Sequence, residues 1–219
     1  MLLNKEIILL RQKISYVAIF WFSLAAIAAI VQVTKSAGIN NYLIFKGVFW
    51  HTVQETNLFL EYPAEYFDVN HYGASFSIFI SPFALMPDKI GCFLWCLANA
   101  AFLFCAVRRL PLSIQNQRII LLISAVEMMT SLHNVQFNPM LTSWILMSYI
   151  MVHRKKDFWA AFFIAAGTLS KLYGIIGLAF FLFSDNKLAL VLSFIFWMAV
   201  LFCLPMLYSS PHFILQSYT

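Results

Sequence analysis

Four of the nine acidic residues of this 219-residue chain fall in one stretch, QETNLFLEYPAEYFDVNHYG. Glu55, Glu61, Glu65 and Asp68 stand there among Tyr62, Tyr66, His71 and Tyr72. A carboxylate held beside a hydroxyl can take its proton as a general base. Tyrosine and histidine add hydrogen-bonding groups and flat faces. Sugars offer fans of hydroxyls and apolar ring faces, so this mixture suits a carbohydrate. Pro63 stiffens the backbone in the middle of the stretch. A solvated loop that only keeps its charges in water would not need aromatics at this density.

Two further features could join it. The segment HNVQFNP, residues 133–139, puts His133, Asn134, Gln136 and Asn138 between two apolar runs. Asn138 followed by Pro139 is good helix-start chemistry, but capping accounts for one amide and not for four polar side chains. A role in binding hydroxyls or phosphate stands beside the capping reading. Lys171, in LSKLYGIIG, has apolar sequence on both sides. A lysine at mid-membrane costs about 2.5–3.5 kcal/mol on insertion scales, so it either snorkels to the interface or meets an anion such as a lipid phosphate. Glu127, in SAVEMM, is the other charge inside an apolar run, and pairing and structural roles are equally open to it.

The elements that must position these groups are membrane helices. The chain is 62% hydrophobic with 23 Phe and only 11% charged residues, and its mean hydropathy is +0.82. A soluble domain of this size could not bury that much apolar surface. The apolar runs are continuous rather than alternating, which selects an all-α polytopic bundle over a β-barrel. Candidate spans are residues 14–33, 90–107, 118–132, 138–152, 158–170, 172–183 and 188–208, seven in all, within a single membrane domain over residues 1–219. The net charge of +5 reads as the basic inner face of a membrane protein and not as a nucleic-acid surface.

Lys5, Arg11 and Lys13 precede the first run. That run is long enough to span and no small-residue cleavage site follows it, so it is read as retained, with the N-terminus cytoplasmic. The clusters Arg108, Arg109, Arg118 and His153–Lys156 then belong inside, and the loop 34–72 outside. This parity leaves room for one span between residue 72 and Arg108. Residues 73–87, with Pro82 and Pro87, would reach only roughly 22 Å as a helix against a hydrocarbon core of about 30 Å. They are read as a juxtamembrane or re-entrant helix, the alternative being a span that breaks the charge rule. Within the loop, Tyr42, Phe45, Phe49 and Val53 follow helical spacing and predict an amphipathic helix over 39–53 on the outer membrane surface. The four cysteines, Cys92, Cys96, Cys105 and Cys203, lie in apolar runs and read as packing residues, with no disulfide framework and no metal site.

No P-loop, dinucleotide fingerprint, zinc-protease motif or hydrolase elbow is present. Instead, the YP-containing loop leading into an apolar PF-L-P run (EYPAEYFDVNHYGASFSIFISPFALMP), then VQFNP, then SKLYG, resembles glycosyltransferase family 87 in order and spacing over roughly residues 14–208. That family comprises polyprenol-phosphate-mannose-dependent mannosyltransferases of the C-type membrane fold. The resemblance implies transfer of a hexose, mannose by family, from a polyprenyl-phosphate donor to a lipid or glycan acceptor at the outer face of a cell membrane, the bacterial inner membrane by family. It implies no cofactor, the lipid-linked sugar being a substrate, and membrane lipids and the acceptor as partners.

It also implies roles. Asp68, Glu61 or Glu65 would be the base; Lys171 with the amides of Gln136 and Asn138 would hold the donor phosphate; Asn40, Asn41, Tyr62, Tyr66, His71, Tyr72 and His133 would line the substrate. Family members usually carry an aspartate near the start of the outer loop, where this chain has Asn40 and Asn41, and a neutral amide cannot take a proton there. Members are also longer, so the chain corresponds to the N-terminal part of such an enzyme, with a C-terminal half as a further expected partner. A non-catalytic subunit or inactive fragment is the alternative function. A small-solute transporter is the third, although no internal repeat accompanies the polar residues.

Overall fold

The computed structural model describes residues 6–9, 12–35 and 38–218; Lys5 and Arg11, two of the basic residues that set the expected orientation, lie outside them. A short antiparallel pair, β1 (Glu6–Leu9) with β2 (Gln12–Ser15), precedes the helices and was not expected from the sequence. The helices are α1 (Tyr16–Thr34), α2 (Asn40–Gln54), α3 (Phe76–Ala84), α4 (Asp88–Val107), α5 (Ile114–His133), α6 (Asn138–His153), α7 (Asp157–Ser170), α8 (Lys187–Cys203) and α9 (Pro211–Gln216). A long 3-10 segment, Leu172–Phe183, lies between α7 and α8, and a short one, Leu204–Leu207, follows α8.

Length and composition let three of these, Tyr16–Thr34, Asp88–Val107 and the continuous Lys187–Leu207, cross a membrane among the described residues. Helices of this length and composition match the thickness of a membrane's hydrocarbon core. The expected count of seven requires α5, α6, α7 and the 3-10 segment as well. Helix α7 reaches about 21 Å at 1.5 Å per residue. The 3-10 segment reaches about 24 Å, because its tighter winding rises about 2 Å per residue.

Small residues bring the first helices together. Ala25, Ala28 and Ala29 of α1 are fully buried, and Trp21 of the same helix donates from Nε1 to the Ala100 carbonyl of α4 at 3.1 Å. In the 3-10 segment the buried residues are Gly174 and Gly177. Three residues apart, they eclipse on a 3-10 helix and form one smooth stripe. A methyl at position 174 would lie 2.0 Å from the Gly167 carbonyl carbon of α7, so the two backbones touch. That contact fixes the turn carrying Lys171, whose extended backbone (φ −153°, ψ 126°) breaks the helix between them.

The region 73–87 contains only nine helical residues, a reach of about 13 Å, too short to span. Pro82 cannot donate to the Ile78 carbonyl, and the Ser81 hydroxyl supplies that bond at 2.9 Å. Tyr42 of α2 donates to the Phe83 carbonyl at 2.7 Å, and Lys46 of α2 pairs with Asp88 at the start of α4 at 2.5 Å. Both contacts hold the end of α3 and the start of α4 against α2.

Helix α2 departs from the expected surface helix. Tyr42, Phe45 and Phe49 are buried as the spacing requires, but Ile44, Val48, His51 and Thr52 are buried too. The reason is that α3, Trp95 and the loop pack on it: Phe45 meets Tyr72, Phe76 and Trp95 at ring-centroid distances of 5.1, 5.4 and 5.8 Å.

At the opposite end of the bundle, Lys155 pairs with Asp185 at 2.8 Å, Ser184 donates to Asp157 at 2.9 Å and Arg154 reaches the Arg109 carbonyl at 3.4 Å. The basic clusters thus gather at one end. Single cysteines at Glu61 and at Lys155, in a chain stripped of native cysteines, are therefore expected to react with an impermeant thiol reagent from opposite faces of the membrane. Labelling of both from one face would overturn the orientation. Glu61 is the usable loop position because it is exposed, whereas Asn70 is buried and bonds the Leu58 and Tyr72 carbonyls.

Candidate active site

A cavity of about 230 Å³ opens where the start of α2, the loop before α3, the α5–α6 junction and the α7 turn meet. Asn41, Asp68, His71, Tyr72, Gln136 and Lys171 line it, with Ile44, Phe45 and Val69 as apolar wall. Its floor continues into an aromatic stack in which Tyr72 and Phe76 are 4.5 Å apart and Phe76 and Phe137 5.2 Å. These large rings, nearly all fully buried, make the floor stiff.

Asp68, Gln136 and Lys171 are each held by local contacts. Asp68 has a left-handed backbone (φ 80°), a conformation that aspartate tolerates better than most residues. Its Oδ1 accepts from the Val69 amide at 2.8 Å. Gln136 follows Val135, which also has positive φ (48°), and its amide closes the end of α5 by donating to the Ser131 carbonyl at 2.8 Å. Lys171 donates from Nζ to Asn138 Oδ1 at 3.1 Å and stands 5.6 Å from the Tyr173 ring. Burial lowers its pKa below that of an ordinary lysine. Burial also pushes the Tyr72 hydroxyl up to about 12, so it is a neutral donor at any working pH.

Asn40, Asn41 and His133, also expected at the substrate, each bond to the protein itself. Asn40 bonds the loop backbone: its Nδ2 donates to the Phe67 carbonyl at 2.9 Å and its Oδ1 accepts from the Phe67 amide at 2.8 Å. It clamps the backbone next to Asp68 and is thereby a positioning residue. Asn41 donates to the Asn134 carbonyl at 2.7 Å. His133 Nδ1 lies 2.9 Å from Gln32 Nε2 and is not on the wall of this cavity.

Glu65, itself half-exposed, reaches His51, its Oε2 lying 3.1 Å from the buried Nε2. Tyr62 stacks on the same imidazole with ring centroids 4.0 Å apart and donates to the Asn57 carbonyl at 2.6 Å. Tyr66 is buried behind them, and burial first, then the neighbouring Glu65, raise its pKa to about 12. These three knit the loop to α2 and are not on the cavity wall. Glu61 is exposed and also lies off that wall. Glu127 is exposed on α5 beside a separate groove that also contains Asn138.

A larger hollow of about 550 Å³ lies between the loop and α9. Its carboxylate, Glu55, accepts from the Ser210 amide at 2.6 Å, which ties it to the chain rather than leaving it for a substrate. Among the described residues no group of three His, Cys, Asp or Glu side chains is placed to hold a metal ion.

What the arrangement can do follows from its charges. The smaller cavity is lined by a carboxylate, Asp68, an ammonium, Lys171, the side-chain amides of Asn41 and Gln136, and the Tyr72 ring. Such a set of groups can withdraw a proton and receive negative charge.

A family model described as Glycosyltransferase family 87 matches residues 70–219. No curated protein and no solved structure matches the chain.

Proposed function

The chain belongs to glycosyltransferase family 87, and on that premise we propose that the cavity transfers a hexose, mannose by family resemblance, from a polyprenyl-phosphate donor to a hydroxyl of a lipid or glycan acceptor. Asp68 takes the acceptor proton as the acceptor oxygen bonds to the anomeric carbon. The bond from that carbon to the phosphate oxygen breaks, and its electron pair leaves with polyprenyl phosphate. In-line attack inverts the anomeric centre. Lys171, steadied by Asn138, meets the charge that the leaving phosphate gains, and Gln136 donates beside it. The aromatic floor takes an apolar face of the sugar.

The observation that carries this reading is that Asp68 and Lys171, 103 positions apart in sequence, line one cavity. Seven spans with the cavity on the outer face and the N-terminus cytoplasmic complete the proposal. Membranes bearing the chain are expected to transfer radiolabel from polyprenyl-phosphate mannose to an endogenous acceptor, and not from a nucleotide sugar. Transfer no greater than in membranes lacking the chain would favour the alternative, a non-catalytic subunit.

A further inference from the structure

Glu127 has no part in the chemistry proposed above, yet it stands in an apolar run. Helix α5 buries Leu121, Ala125, Met128 and Leu132 and leaves Ile123, Val126, Glu127 and Thr130 exposed. Steps of three and four residues put those four on one face, a seam of the kind that receives a second helix. A groove of about 230 Å³ between α4, α5 and α6 shares Glu127 with that face, and Ser124, Ser131 and Thr142 bring hydroxyls to it. Glu127 forms no ion pair among the described residues. Lys171 donates to Asn138, another residue of the groove, and not to Glu127. An acid inside a membrane span is costly unless it meets a partner.

We propose that this face of α5 docks a transmembrane helix of a partner protein, and that a lysine or arginine of that helix pairs with Glu127. The assignment rests on α5 crossing the membrane, as one of the seven spans proposed above, and not on the transferase chemistry. Charge complementarity selects the occupant. A second copy of this chain, docked two-fold on the same face, would bring another Glu127 and no cation. A prenyl or acyl chain would leave the carboxylate and the hydroxyls against hydrocarbon. A helix with one basic side chain pairs the acid, and its apolar residues cover Ile123 and Val126. The small hydroxyl residues of the groove let the two backbones approach closely. Glu127 is roughly 9 Å inside the His133 end of α5 at 1.5 Å per residue, so the partner's cation belongs at that depth. A polar contact between membrane helices corresponds to about tenfold in association.

The test uses the full chain in liposomes and three leucine-rich transmembrane peptides. They differ at one position, roughly 9 Å from one end of the helix, which is lysine, leucine or glutamate. Association is read as resonance energy transfer between labelled chain and labelled peptide. The lysine peptide is expected to associate about tenfold more tightly than the leucine peptide. Glu127→Gln should remove that preference, and Glu127→Lys should pass it to the glutamate peptide. Equal association of the lysine and leucine peptides, a preference that survives Glu127→Gln, or displacement of the lysine peptide by an equal amount of a long prenyl alcohol would each overturn the assignment. A fluorophore on Leu122→Cys, an exposed position beside the seam, in a chain stripped of native cysteines, should be quenched by lipids with brominated acyl chains. Absence of quenching would overturn the reading of α5 as a span and the docking with it. Quenching without a lysine preference would overturn the docking alone.

Discussion

Lys171→Met is expected to reduce transfer from polyprenyl-phosphate hexose by at least about a hundredfold while leaving the amount of protein in the membrane near normal. Removing one preorganised group that stabilises developing negative charge costs about 10²–10³ in rate, and here the group lost carries a full charge. The protein itself has little reason to miss it. The Lys171 ammonium makes one side-chain hydrogen bond, to Asn138, and the turn around it is fixed by backbone bonds: Lys171 N to the Gly167 carbonyl and Gly174 N to the Lys171 carbonyl, both 2.8 Å. Methionine keeps the length and the packing and removes only the charge. The same residue predicts a pH effect. Its pKa is lowered by burial, so the ammonium is lost as pH rises at values below the ordinary 10.5. The alkaline fall in kcat/KM, which reports the free enzyme, should therefore begin below that point. Lys171→Arg, always charged, should move the fall out of range even if its larger head lowers the rate. Wild-type turnover in Lys171→Met membranes would remove Lys171 from the site.

How far the sequence could be read depended on the kind of partner each residue has. Breaks in hydropathy located the helices, because a proline or a charge ends an apolar run wherever the rest of the chain lies. Pro82 and Pro87 signalled that residues 73–87 would be too short to span, and α3 is shorter still, at nine residues. Periodicity identified the apolar face of α2 but not what covers it. The same spacing of Tyr42, Phe45 and Phe49 serves a lipid surface or the aromatic stack around Trp95, and Trp95 is 46 or more positions further along the chain. The 3-10 winding of Leu172–Phe183 was written in Gly174 and Gly177, three apart, yet apolar composition alone cannot separate a 3-10 from an α-helix.

The site divides in the same way. Asp68, His71 and Tyr72 are local to the loop, and Gln136 and Lys171 stood out because polar groups are costly inside apolar runs. Glu61, Tyr62, Glu65 and Tyr66 looked equivalent to Asp68 by composition. What separates them is His51, hidden in an apolar helix, which draws Glu65 and Tyr62 away from the cavity. Gln32, which is buried and bonds His133, was overlooked, although a glutamine ending an apolar span was a signal of the same kind as Lys171. The two asparagines standing where the family has its aspartate were legible as a departure. Their use was not: Asn40 bonds both backbone groups of Phe67, and only folding reveals that this holds Asp68 in place.

Asp68→Asn is expected to lower kcat by about 10²–10⁴-fold, the usual contribution of a general base, with little change in KM for the donor. The substitution is mild for the fold. Asparagine is at ease with the positive φ of position 68, and its carbonyl oxygen can still accept from the Val69 amide as Asp68 Oδ1 does. What it cannot do is take a proton from a hydroxyl. Two of the other loop acids, Glu61 and Glu65, supply the contrast. Glu61→Gln alters an exposed side chain off the cavity wall and should leave turnover within about twofold of wild type. Glu65→Gln keeps an oxygen for His51 Nε2 and weakens a contact with a half-exposed partner, so its effect should appear in stability, at about 1 kcal/mol or less, and not in the chemical step. The three variants are compared in one membrane assay with radiolabelled polyprenyl-phosphate mannose, at saturating donor, with protein levels matched by immunoblot. If Asp68→Asn retains the wild-type rate and Glu65→Gln loses it, the base is Glu65, and the His51 contact is then a catalytic pairing rather than a tie between loop and helix. If all three retain it, none of Asp68, Glu61 and Glu65 is the base, and Glu127, the acid beside the groove that contains Asn138, becomes the carboxylate to vary next.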